Sequence, residues 1–307
     1  MFVFATSDKG GTGRSVTSTN VLYRAALNGE DVCYLDFDFG SPTAGAVFGV
    51  SGVERGTTQG RGLHRYLHGK AVELQRIDVW QEARVLGGRP AGAGQLVLIP
   101  GDEGGGEFNQ PPSDELIQRC ADLLSHLNEE FSVILVDLSA GRSLATELAL
   151  AATGLERMSR IESRWLVFHR WTRQHVLAAE GLVYGVNGLI RQAEARGHDP
   201  VIFRRRIRFV RTATTEPSSE RERLGGLSAA QVAWLQQRNK ELDLLASNRQ
   251  VGRVVRLGTI PLDPVLQWQE QLISNEDVGR GVANEATLEA FDDLAERITD
   301  KSTWEQP

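Results

Sequence analysis

The side chains that could hold a phosphate chain and a cation sit at separate points along this 307-residue sequence. The first point is Ser7-Asp8-Lys9-Gly10-Gly11-Thr12-Gly13-Arg14-Ser15. Its glycines let backbone N–H groups turn inward and approach an anion closely. A helix starting behind them adds partial positive charge at its N-terminus. Arg14 supplies a full charge, and Ser15 stands where the hydroxyl of such a loop ligates Mg²⁺. The predicted ligand-contacting stretch is Gly10, Gly11, Thr12, Gly13, Arg14, Ser15 and Val16. The second point is Asp36-Phe37-Asp38, where two carboxylates at a strand end can hold a water or a metal beside phosphates. The third is Asp137, which closes the apolar run Phe131 to Val136 and would reach a Mg²⁺ shell from an adjacent strand.

The elements around these residues suit that work. Phe2-Val3-Phe4-Ala5 reads as a buried strand and Val16 to Leu27 as a helix, so the glycine loop has strand before it and helix behind it. Val32-Cys33-Tyr34-Leu35, Gln95 to Ile99, Phe131 to Val136 and Trp165 to Phe168 are further buried-strand patterns. Ser113 is a predicted cap for a helix with Leu116, Ile117, Cys120, Leu123, Leu124 and Leu127 at helical period. Gln174 to Ala195 reads as one helix. Thr212 to Leu227 is polar and loop-like. Ser228-Ala229-Ala230-Gln231 then forms a capping box opening a helix with Val232, Leu235, Leu242 and Leu245 on one face. Residues 51–95 are rich in Gly and Arg and weakly patterned. Within them His64 and His68 share a short helix face. No carboxylate or cysteine motif accompanies the pair, so it reads as a surface or partner face rather than a metal pair.

Composition excludes several classes. With 41% hydrophobic and 24% charged residues the chain is an ordinary globular protein. A net charge of −6 opposes bulk attraction to nucleic acid or anionic lipid. No stretch is long and apolar enough to span a bilayer and no secretory signal opens the chain, so the expected location is cytoplasmic. Cys33 and Cys120 form no metal-like cluster. Four lysines (Lys9, Lys70, Lys240, Lys301) leave 34 − 4 = 30 arginines, a bias expected of a GC-rich bacterial genome. Arginines crowd residues 157–175 and 203–211. They fit either a surface for nucleic-acid phosphates or an acidic partner, or a solvated edge with stems lying on apolar surface.

Taken in order, these landmarks resemble the ParA/MinD family of deviant P-loop ATPases, whose loop is usually K-G-G-x-G-K-[ST]. Lys9 matches the family's early signature lysine, whereas Arg14 replaces the usual P-loop lysine. Asp36-Phe37-Asp38-Phe39-Gly40 is similar to the D-x-D-x-G switch. Asp137-Leu138-Ser139-Ala140-Gly141 resembles D-x-P-A-G with Ser139 for proline. Gly258-Thr259-Ile260-Pro261-Leu262-Asp263 resembles G-x-I-P-x-D. The resemblance implies a single domain over 1–307, with a polar loop and extra helix at about 212–250. Its fold would be α/β, a doubly wound, mostly parallel sheet of seven to eight strands with helices on both faces. It also implies ATP and Mg²⁺ as cofactors. Ser15, Asp36 and Asp137 would organise the metal, and Asp38 would orient the attacking water. The Gly141 N–H would sense the γ-phosphate, and Pro261 would border the base. Lys9 would cross to the partner's phosphates in an ATP-bridged homodimer. Arg211-Thr212-Ala213-Thr214 stands where the family carries an adenine-reading asparagine. The acidic C-terminal region lacks the basic tail of the family's membrane anchor and of many DNA-binding members, which leaves an unidentified protein as the expected partner. Two functions follow. One is a nucleotide-driven switch with slow hydrolysis. The other is a pseudo-ATPase scaffold, because a planar guanidinium does not replace a compact ammonium at a site where positioning governs rate.

Overall fold

The computed structural model describes residues 1–105, 109–215 and 227–305. Eight strands form one sheet in the order β3-β4-β2-β5-β1-β6-β7-β8. They are β1 Phe2–Thr6, β2 Val32–Phe37, β3 Ile77–Asp78, β4 Leu96–Ile99, β5 Val133–Leu138, β6 Ser163–Arg170, β7 Ile207–Thr214 and β8 Arg256–Pro261. Every pairing is parallel except β3 with β4. The short antiparallel edge strand comes from the Gly- and Arg-rich segment whose pattern is too weak to announce a strand.

Alternation along the strands produces two cores. Phe4, Leu35, Phe37, Ile134, Val136, Trp165 and Val167 face one side. Val3, Ala5, Tyr34, Val133, Leu135, Leu166 and Phe168 face the other. The first side is covered by helices α2 (Asp114–Glu130), α3 (Leu144–Thr153) and α4 (Arg173–Tyr184). Ser113 accepts from the Leu116 N–H and caps α2, whose buried face contains all six apolar residues of the predicted period. Helix α1 (Arg14–Leu27) lies on the second side, against the late helix α7 (Glu285–Thr299). Arg24 Nη2 donates to Asp292 Oδ2 at 2.8 Å across that contact.

The single helix expected over Gln174 to Ala195 is two. Helix α4 ends at Tyr184 and a second short helix spans Leu189–Ala195. Gly185 turns extended between them, and a Cβ on Gly188 would stand 2.6 Å from the Val183 carbonyl oxygen. Apolar period continues through the break, which is why the pattern hides it. The helix opened by Ser228 is α5 (Ala229–Asn248), with its capping box formed on both sides. Val232, Leu235, Leu242 and Leu245 are half-buried, but only Ala246 is fully buried. Most of the polar loop before it lies outside the described residues. The short helix α6 (Pro264–Trp268) follows β8.

The adjacency β2-β5-β1 matters most for the site. Ala5 pairs with Asp137 and Asp36 also pairs with Asp137. The glycine loop after β1 and all three aspartates therefore meet at the carboxyl ends of neighbouring strands, where the chain direction across the sheet reverses.

A buried histidine near the end of β6 sets a pH response. His169 is 1% exposed, packs edge-on to Phe209, and its Nε2 has no hydrogen-bond partner among the described residues. Burial lowers its pKa to about 4. Between pH 6.5 and about 4 the unfolded chain binds a proton that the folded chain refuses, so acid removes stability. The full loss is about 3 kcal/mol. Asp36, held above the usual carboxylate range, acts in the opposite sense over part of this window. Chemical denaturation of the parent and His169→Phe across that range isolates the histidine: the variant gains on the parent as pH falls, and parallel curves would exclude the assignment.

Candidate functional site

The glycine loop has the geometry its sequence implies. Gly11 and Gly13 adopt φ of 69° and 72°, left-handed values that a residue with a Cβ rarely takes, and Gly13 caps α1. Ser7 Oγ donates back to the Lys9 carbonyl at 3.0 Å and closes the loop's first turn. Lys9, Gly10, Gly11 and Gly13 are exposed, Thr12 and Val16 are buried, and Ser15 is half-buried.

Arg14 departs from the expected role. It is the first residue of α1 and is 6% exposed, so its guanidinium lies inside the protein instead of along the loop's open face. Its Nε donates to Asp137 Oδ1, its Nη2 to Asp38 Oδ2 at 3.0 Å, and its Nη1 lies 3.4 Å from Ser7 Oγ. Burial alone would lower its pKa. The charges of Asp137 and then Asp38 together outweigh that and hold it above its usual value. Tyr34, read from the sequence only as a strand residue, donates from its buried hydroxyl to Asp137 Oδ2 at 2.7 Å. Asp36 accepts from the Asp38 N–H at 3.3 Å and the Ala44 N–H at 3.1 Å. Burial, then the neighbouring Asp137 charge, raise its pKa well above the carboxylate range.

These contacts occupy the residues of the expected metal set. Both oxygens of Asp137 are engaged, one by Arg14 and one by Tyr34. Asp36 is bonded at both oxygens by backbone N–H groups, and Asp38 is paired with Arg14. Arranged so, Asp36 and Asp137 would meet a cation only with oxygens that already accept hydrogen bonds, and Ser15 stands half-buried beside Arg14 at the start of α1. No group of three or more His, Cys, Asp or Glu able to hold a metal ion occurs among the described residues. His64 and His68 stand with their ring centres 4.6 Å apart.

A cleft of about 300 Å³ opens beside this charge cluster. Gly11, Thr12 and Gly13 form one end, with Val16 and Thr17 of α1. The other end is made by Thr212, Ala213, Pro261 and Trp268, and Arg170 also lines it. Thr212 Oγ1 donates to the Thr12 carbonyl at 2.6 Å and pins the end of β7 to the loop. Ala213 has φ of 50°, an uncommon conformation for a residue with a Cβ. Trp268 is 82% exposed, a large apolar ring left in water at the mouth. Pro261 stands at this cleft as expected. Thr212 belongs to the stretch that stands at the family's base-reading position, whereas Trp268 was not legible as a site residue, because only the β7–β8 pairing brings its segment to the loop. The Gly141 N–H donates to the Ser7 carbonyl at 2.7 Å, so in this conformation it closes on the loop backbone instead of facing a ligand.

Three arginines of the arginine-rich segments, Arg164, Arg208 and Arg211, are buried, whereas Arg157, Arg160, Arg173, Arg204 and Arg205 stay exposed. Arg164 is buried against Glu162 and over the Trp304 ring, and Arg208 also lies over Trp304. Arg211 stacks on Trp171, 3.5 Å from the ring centre, and pairs with Asp243 of α5 at 3.0 Å. These guanidiniums brace elements against one another.

With the geometry described, solved structures of known proteins give the architecture its relatives. The chain superimposes on MinD of the MinC:MinD cell division complex from Aquifex aeolicus with a TM-score of 0.56 and 16% identity, covering 97% of this chain and 95% of that one. The fold is that of MinD. A plasmid partition protein from Borrelia burgdorferi bound to AMPPNP gives a TM-score of 0.59 at 13% identity, covering 97% of each chain. The septum site-determining protein MinD complexed with Mg-ADP, from Pyrococcus horikoshii, gives 0.53 at 16%, covering 98% of each. No protein-family model and no curated protein sequence matches the chain. No helix among the described residues is long and apolar enough to cross a membrane.

The charge cluster has a measurable weight. Arg14→Ala leaves Asp137 buried beside an uncompensated space, and removing one partner of a buried pair costs roughly 3–5 kcal/mol. Urea denaturation is expected to show a loss of that order. A loss below about 1 kcal/mol, the range of an exposed pair, would mean that the guanidinium does not hold the strand ends together.

Proposed function

We propose that this protein is a nucleotide-binding switch of the ParA/MinD type, in which an occupied cleft promotes pairing with a second copy and engagement of a protein partner. The observation that carries the reading is the cleft itself. It joins the left-handed glycine loop and the N-terminus of α1, which suit phosphates, to a base-sized end bounded by Ala213, Pro261 and Trp268. The nucleotides in the Borrelia and Pyrococcus structures support ATP as the ligand to test first. The Aquifex MinD was captured with MinC, which supports a protein partner for this chain too. Helix α5 is a candidate face for it, since Trp234 is 59% and Leu244 67% exposed there.

One observation favours the pseudo-ATPase form of this reading. Asp38, the residue expected to orient water, is paired with Arg14. A carboxylate held that way is a poor water-positioning group, and phosphoryl transfer depends on positioning. Turnover is therefore slow or absent, and binding, not hydrolysis, sets the state of the switch.

Titration with ATP, followed by calorimetry and tryptophan fluorescence, tests the reading. Saturable binding with a fluorescence change that disappears in Trp268→Phe is expected. No heat and no thermal shift at millimolar ATP would end the nucleotide reading. Dimerisation is a separate outcome. Lys9 is exposed on the loop and forms no ion pair among the described residues, so it is free to reach a second subunit. Light scattering should show ATP-dependent dimers for the parent and not for Lys9→Ala; equal dimerisation of the two would reduce Lys9 to a brace of its own loop.

A further inference from the structure

We propose that Arg14 is a built-in cation standing in place of the divalent metal, so that the cleft takes a nucleoside polyphosphate without Mg²⁺. The proposal rests on the nucleotide reading above and adds how the phosphate charge is met. Its basis is the disagreement between the carboxylates present and the metal that the fold's relatives use.

The guanidinium bonds the two carboxylates that a metal would need, Asp137 through Nε and Asp38 through Nη2. Tyr34 bonds the second oxygen of Asp137 from inside the sheet, so a metal there would have to share both oxygens with donors already in place. A divalent ion at Asp137 would share its oxygens with both donors and sit against the buried Arg14 charge. Mg²⁺ also demands near-ideal octahedral oxygen ligation and gives up its waters reluctantly, which makes a shared site still less favourable. Lysine would not reproduce this arrangement, because its compact ammonium lacks the planar fork whose separate nitrogens reach Asp137, Asp38 and Ser7.

Arg14 can do this and still serve phosphate. A guanidinium carries more N–H donors than these contacts use, and the side chain springs from the first residue of α1, directly behind the loop amides. Its charge alone does not balance two aspartates and a polyphosphate. Arg170 supplies the second cation. It lines the same cleft as Gly11 to Gly13, and its side chain makes no ion pair among the described residues. Arg14, buried behind the loop amides, and Arg170, on the cleft wall, together do the neutralising that a metal does elsewhere, with the helix N-terminus adding to both.

Calorimetric titration of the full chain with ATP, once in excess EDTA and once in saturating Mg²⁺, decides the matter. Equal affinity in the two conditions is expected, with Arg170→Ala weakening both by about tenfold. Arg14→Lys should bind better with Mg²⁺ than without it, because the shorter ammonium releases a carboxylate. Parent protein that binds ATP about tenfold or more tightly with Mg²⁺ overturns the proposal and leaves the nucleotide reading standing. No binding in either condition removes both. A readout without nucleotide guards against a variant that fails to fold: Mn²⁺ followed by electron paramagnetic resonance should stay free with the parent and be taken up by Arg14→Lys. Mn²⁺ held by the parent as tightly as by the variant would show that the guanidinium does not exclude metal.

Discussion

A positive charge buried at the first turn of a helix has to be neutralised where it lies, and the rest of this site follows from that. Arg14 enters the protein between the carboxyl ends of β1, β5 and β2, and among the described residues only Asp137 and Asp38 pair with it. The pairing ties the start of α1 to two strands that are distant in sequence. It also weakens both carboxylates as ligands, since the guanidinium already offsets much of their charge. The same contact that organises the site thereby narrows what chemistry the site can do.

Around this cluster the loop is held by short polar bonds from segments that the relatives' fold brings to the same place. Gly141 bonds the Ser7 carbonyl, Thr212 bonds the Thr12 carbonyl, and Arg142 pairs with Asp8 at 3.2 Å. Asp263 caps α6, accepting from Val265, and reaches Thr287 of α7 at 2.8 Å, which fixes the far wall of the cleft. A ligand entering the cleft meets a frame already set, and the mobile candidate is the Gly141 segment, whose N–H would have to leave Ser7 to meet a phosphate. Such an exchange of one acceptor for another is a natural two-state element for a switch.

Arginine serves structural ends here beyond the site. Arg164 and Arg208 share the Trp304 ring, and Arg211 lies between Trp171 and Asp243. A guanidinium can stack and fork at once, so it survives burial where an ammonium would not. A count of basic residues therefore overstates the positive surface, since Arg164, Arg208 and Arg211, on β6 and β7, turn inward.

By itself the sequence determined the sheet and the order of its landmarks. Apolar runs of strand length ending in Asp36 and Asp137, glycines at positions needing left-handed backbone, and caps at Ser113 and Ser228 are local signals, written in spacing and residue type. Those signals carry no information about what a side chain meets across the sheet. That Arg14 turns inward, that Tyr34 is a hydrogen-bond donor to Asp137 and not merely core, and that Trp268 stands at the mouth of the same cleft as Gly11 were decided by strand order and register. The break at Gly185 was decided by a close backbone approach that hydrophobic period does not record. Strand order places Asp36 level with Asp137, and burial then forces each charge there to find a partner, so the tertiary structure alone determined that the partner is an arginine of the loop itself.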